Sequence, residues 1–74
     1  MPDKFLSLSA MEKIFERANV KRSSDKAKLA LKNILEDLAI SISKQAAEFA
    51  KHAGRKTVKR SDIKLAVEVL SKKF

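Results

Sequence analysis

Apolar residues fall at helical spacing along most of the chain, and three segments carry the rhythm. In the first, Ala10, Ile14, Phe15 and Ala18 recur three or four residues apart, which predicts a short helix over about residues 10–18. Ser9 and Glu12 stand at the Ser-x-x-Glu spacing of a capping box, placing its start near Ser9. The second segment is much longer. Ala27, Leu31, Ile34, Leu35, Leu38, Ile42, Ala46, Phe49 and Ala53 keep the same rhythm, with no helix breaker among them. Ser24 is a good N-cap, Asp25 suits the positive end of the helix dipole, and Lys51 and His52 suit the negative end. Gly54 then fits the left-handed position that closes a helix. The third segment, about residues 60–72, has an inner stripe of Ile63, Ala66, Val67 and Leu70; Ser61 before Asp62 can be read as its cap, with the start defined only to within a residue or two. Asn19 to Ser23 and Arg55 to Lys59 are polar, basic connectors.

The middle helix decides the architecture. About 29 residues at 1.5 Å each make a rod of roughly 43 Å. Ala30, Ala39, Ile40, Ala47 and Ala50 widen its apolar surface beyond one stripe. Two short helices cannot cover that surface, and a soluble monomer does not leave such a patch open. The economical solution is a second copy, with the long helices crossing at Leu31, Ile34, Leu35, Leu38 and Ile42 as the dimer core. A coiled coil fits less well, because Lys28, Lys32 and Asn33 crowd the seam and no heptad persists. A helix-turn-helix reader fits badly around so long a central helix. The expected class is therefore all-α: short helix, long helix, short helix. Residues 1–8 are read as an N-terminal tail and 9–74 as one folded domain.

Composition narrows the function. The chain has 74 residues, too few for more than one small domain. It has no Cys, one His and one Gly. Disulfides, thiolate metal sites and glycine-rich phosphate loops are excluded, and no metal, cofactor or catalytic residue is expected. No segment approaches the roughly 18 apolar residues of a membrane span, and residues 1–7 lack the basic start and apolar run of a secretion signal. The expected place is inside the cell. Lys plus Arg number 17 against 9 acidic residues, a formal charge of +8, which points to a polyanion.

The stretch Lys51-His52-Ala53-Gly54-Arg55-Lys56-Thr57-Val58-Lys59, followed by Asp62-Ile63-Lys64-Leu65-Ala66-Val67, resembles the second-loop signature of archaeal histones. Lys21 to Asp25 stand where that family has its first loop, and the resemblance spans roughly residues 9–71. Two departures are visible: the N-terminal prolines common in the family are missing around Ser7 to Ala10, and Asn19 occupies the place of a usual Gly. The resemblance implies the histone fold, a head-to-tail handshake dimer, and sequence-tolerant binding, bending and wrapping of double-stranded DNA on the chromosome in the cytoplasmic nucleoid. It further implies assembly of dimers into nucleosome-like arrays, as a homodimer or with a sister histone as partner.

Such a surface needs evenly placed cations, backbone N–H donors and helix N-termini facing phosphate. By resemblance the DNA-binding residues are Lys13, Lys21, Arg22, Ser23, Ser24, Lys56, Thr57 and Lys59, with Arg22 entering the minor groove and Thr57 orienting it across the boundary between protomers. Arg55 and Asp62 resemble the family's structural ion pair. Phe49, His52, Asp62 and Leu65 match its dimer–dimer interface. The residues alone leave two other readings open, His52 as a dipole-favoured terminal cation and Phe49 and Leu65 as ordinary core. The rival function is a histone-fold interaction subunit that scaffolds a heteromeric complex without wrapping DNA.

Overall fold

The computed structural model describes residues 5–72. Three helices make up its regular structure: α1 (Leu8–Arg17), α2 (Asp25–His52) and α3 (Arg60–Ser71). No strand occurs among the described residues. The chain divides into two compact units, Met1–Asp37 and Leu38–Phe74, and the division falls within α2. Each unit holds one short helix and its own part of α2.

In the first unit the helix starts earlier than expected. Ser7, in extended backbone, is the N-cap of α1, and its Oγ accepts the Ala10 N–H at 3.1 Å. Ser9 lies inside the helix, so the Ser9–Glu12 capping box does not form. Glu12 instead turns its carboxylate to Lys28 on α2, at 3.3 Å. α1 therefore begins at Leu8, with its cap at Ser7. Met11 is the buried apolar side chain of α1.

At the other end of α1, Asn19 adopts φ +66°, the left-handed conformation. Asn19 N–H donates to the Glu16 carbonyl at 3.0 Å and Val20 N–H to the Phe15 carbonyl at 2.9 Å. This is the paired Schellman closure that glycine usually supplies. Asn is among the few side-chain-bearing residues that adopt this φ at modest cost, so the departure at this position leaves the turn intact. Ser24 caps α2, its Oγ accepting the Ala27 N–H at 3.0 Å.

In the second unit α2 closes in the same way. Gly54, at φ +74°, donates to the Lys51 carbonyl at 2.9 Å, and Arg55 N–H donates to the Ala50 carbonyl at 2.9 Å. A Cβ built on Gly54 would meet nothing within 4 Å, so the demand for glycine is one of backbone angle alone. Gly54→Ala is expected to cost about 1 kcal/mol. That should lower the thermal midpoint by roughly 4–8 °C in a protein of this size, measured by circular dichroism. An unchanged midpoint would mean that the loop relaxes away from positive φ.

α3 begins at Arg60 with Lys59 as N-cap, not at Ser61. The cap interaction comes from Asp62, whose Oδ2 accepts the Lys59 N–H at 2.8 Å. Lys59 has no side-chain acceptor with which to reciprocate. Ser61 loses the role because the carboxylate one residue on reaches the free donor and is better matched to the helix N-terminus.

Few large apolar side chains are buried. The buried apolar residues among those described are Met11, Ala46, Ala50 and Ala66, whereas Ile14, Ile34, Ile40, Ile63, Leu65 and Val67 are exposed, Ile34 at 63%. Among the described residues, no helix is long and apolar enough to cross a membrane.

Candidate nucleic-acid interface

The first basic loop belongs to the first unit. Lys21, Arg22 and Ser23, together with Glu12, Phe15, Glu16, Val20 and Lys28, line a cavity of about 250 Å³. Lys21 and Arg22 are exposed and Ser23 is half-buried. The loop is held between two closed helix ends: the Asn19 turn behind it and the Ser24 cap ahead of it. Ser24 Oγ is already an acceptor within the cap, so what α2 offers an anion here is its unpaired backbone N–H groups. Lys28 is not part of that offer. Its ammonium lies 3.3 Å from Glu12 and 3.8 Å from Asp25, at 16% side-chain exposure. Lys13 is exposed on α1 and does not line the cavity.

The second basic loop belongs to the second unit and is built around one ion pair. Arg55 Nη1 donates to Asp62 Oδ2 at 2.9 Å and Arg55 Nη2 to Asp62 Oδ1 at 3.0 Å, the bidentate geometry that a guanidinium and a carboxylate favour. Arg55 Nη1 also reaches the Thr57 carbonyl at 3.0 Å. The loop from 56 to 59 is therefore tied at both ends and in the middle. Lys56, Thr57 and Lys59 are exposed on it. The Arg55 guanidinium, with the Lys59 N–H, holds the Asp62 carboxyl down to about 2, from an ordinary value of 3.8.

Asp62 is 4% exposed, and its two oxygens carry three hydrogen bonds within the chain. These bonds are what a structural role for the Arg55–Asp62 pair requires. His52 is 79% exposed, with Nε2 3.9 Å from Glu48 Oε1 one turn earlier. Phe49 is half-buried and Leu65 is 44% exposed. Of the residues expected to form a dimer core, Ile34 is exposed and Leu31, Leu35, Leu38 and Ile42 are half-buried. Within the single chain these side chains still have surface to bury.

The structure also pairs Glu12 with Lys28 and Glu36 with Lys32, two contacts that the apolar rhythm does not indicate. The Lys32–Glu36 spacing of i,i+4 was a readable signal; the reach from Glu12 to Lys28, sixteen residues on, was not. Among the described residues no group of three or more His, Cys, Asp or Glu could hold a metal ion.

A family model described as "Histone-like transcription factor (CBF/NF-Y) and archaeal histone" matches residues 4–67. The chain is 44% identical over 63 residues to a subunit of archaeal histone HAN1 from Thermococcus zilligii, covering 85% of this chain and 94% of that protein. It is 36% identical over 62 residues to probable archaeal histone 3 of Methanocaldococcus jannaschii, covering 84% and 92%. With three helices in short-long-short order and a match over nearly its full length, the chain belongs to the histone-fold family of archaeal histones and CBF/NF-Y histone-like transcription factors.

Proposed function

We propose that this protein is a chromatin protein, which binds duplex DNA with little regard for sequence and bends and wraps it as a handshake dimer. The role is architectural rather than catalytic, and its setting is the chromosomal DNA of the nucleoid. The observation that carries this reading is the pair of exposed basic loops, each pinned by helix closures in a chain of the histone-fold family. In the dimer the first loop of one protomer lies beside the second loop of its partner. Lys21, Arg22 and Ser23 then join Lys56, Thr57 and Lys59 in one cationic surface, with the α2 N-terminus at Ser24 and Lys13 of α1 extending it. Arg22 enters the minor groove. Dimers joined side by side extend the same rim into arrays.

Titrating salt against arbitrary duplexes tests this. A dimer that neutralises about six phosphates should lose about a thousandfold in affinity between 50 and 200 mM salt. Lys56→Ala should weaken all sequences alike and flatten the log–log salt slope by about one unit per chain. Arg22→Ala should cost more than Lys72→Ala at the end of α3. Equal losses from those two changes would overturn the assigned surface.

Two observations favour a second reading, a scaffold subunit working with a different histone-fold chain. α3 leaves Ile63, Leu65 and Val67 exposed, and the Thermococcus relative is named as a subunit. Stable complex formation without salt-dependent DNA binding would select it.

A further inference from the structure

Two cations of the second unit lie outside its loop. Arg60 and Lys64 are exposed on the first two turns of α3, four residues apart. With about 3.6 residues per turn they share the side of the helix opposite the buried Asp62 and Ala66. The fold does not account for them. Among the described residues neither makes an ion pair, and Lys64 does not reach Glu68 one turn on. Like charges four residues apart on a helix repel. The positive end of the helix dipole disfavours a cation in the first turn, where Arg60 stands. Asp62, the acidic residue of that turn, is engaged by Arg55 and the Lys59 N–H. The N–H groups of Arg60 and Ser61, at the open start of the helix, carry no backbone hydrogen bond among the described residues.

An anion would reverse each of these costs. A phosphate beside the first turn of α3 meets two side-chain cations, two free N–H donors and the favourable end of the dipole. The place is also continuous with the second loop. Arg60 follows directly on Lys59, and Lys56, Lys59, Arg60 and Lys64 put four exposed cations within nine residues. We propose that the DNA surface does not end at the second loop but runs onto α3, where Arg60 and Lys64 hold further phosphates of the same duplex. The occupant is the duplex at the loop, because Lys64 lies only about 6 Å along the helix from Arg60, which adjoins that loop. This rests on the DNA-binding reading and adds two phosphate contacts per chain to it. The addition can be counted. A dimer neutralising about six phosphates loses about a thousandfold in affinity between 50 and 200 mM salt, and one neutralising about ten loses about 100,000-fold.

The test titrates salt with full-length chains on a short duplex that carries one dimer. The parent should show the steeper dependence. Arg60→Gln with Lys64→Gln should flatten the log–log slope by about three to four units per dimer and return the loss to about a thousandfold. Lys44→Gln with Lys72→Gln removes the same net charge from exposed positions outside the strip and should change the slope little. The urea midpoint of the Arg60→Gln, Lys64→Gln chain should hold or rise, since the two cations oppose each other and the dipole. A fall would show that the fold uses them and would overturn the argument. Equal slopes for the two double variants would overturn the α3 contact while Lys56→Ala, still flattening the slope, left the loops as the interface. An unchanged slope with only the joining of two duplexes lost would also overturn it, by moving these cations to a second duplex. A parent with no salt dependence would remove the DNA-binding reading itself, and the α3 contact with it.

Discussion

Leu38→Asp should leave the protein without a stable folded form at micromolar concentration, the largest effect expected of any single substitution here. Among the described residues the chain alone buries Met11 and three alanines as its apolar core, and a domain this small has little stability to spare. Leu31, Ile34, Leu35, Leu38 and Ile42 are half-buried or exposed in the single chain. Covering such side chains is worth about 1.5–3 kcal/mol each, an upper range since some are already partly covered. In the proposed handshake the two long helices cross near their midpoints, and residue 38 lies at the middle of α2. An Asp there would face its own copy across the two-fold axis. Burying two like charges costs several kcal/mol beyond the lost apolar contact. Because folding and association are one equilibrium in an obligate dimer, the loss should appear in both. Sedimentation and helical circular dichroism, measured across a dilution series, check it. Asp37→Ala, one residue away and exposed, should change little. A Leu38→Asp chain that stays folded at the parent's mass would remove the crossing from the architecture.

The helices were legible because they follow from local patterns. α2 ends where Gly54 makes left-handed backbone cheap, and its start at Asp25 follows the Ser24 cap. What the pattern could not supply was competition between partners distant in sequence. Ser9 and Glu12 have the spacing of a capping box, yet Glu12 is taken by Lys28, and the helix gains its start at Ser7. Ser61 looks like a cap, but Asp62 reaches the Lys59 N–H first. Lys32 reads as a charge that spoils an apolar seam; the fold buries it beside Glu36. At the candidate interface, the basic loops and the Arg55–Asp62 pair were legible only as a motif. No periodicity indicates that Arg55 also holds the Thr57 carbonyl, which stiffens the segment carrying Lys56.

That pair leads to the second large effect, a loss of stability in acid that runs through Asp62. The Arg55 guanidinium and the Lys59 N–H depress its carboxyl from 3.8 to about 2. A carboxyl held lower in the folded state than in the unfolded one contributes its stability above the unfolded value and loses it as pH falls through the folded one. The contribution should be complete by about pH 5 and decline progressively towards pH 2. Glu36 adds to the same trend in the first unit. The Leu6 N–H, with Lys32, holds it below its ordinary 4.5 against the opposing effect of burial. Asp62→Asn should therefore be less stable than the parent at pH 7 and flatter in acid, so that the two curves converge near pH 2. Arg55→Ala should be worse than Asp62→Asn at pH 7, because it strands an ionised carboxylate rather than removing it. Arg55→Lys should not rescue, since an ammonium cannot span both Asp62 oxygens and the Thr57 carbonyl with the guanidinium's fixed fork. Urea midpoints from pH 7 to pH 2 decide the matter, and parallel parent and Asp62→Asn curves would show that the pair contributes nothing to acid stability. The same variants bear on the proposed function. If Arg55 acts by holding the loop rather than by touching phosphate, Arg55→Lys should weaken DNA binding while leaving the salt slope unchanged, because the number of cations is preserved.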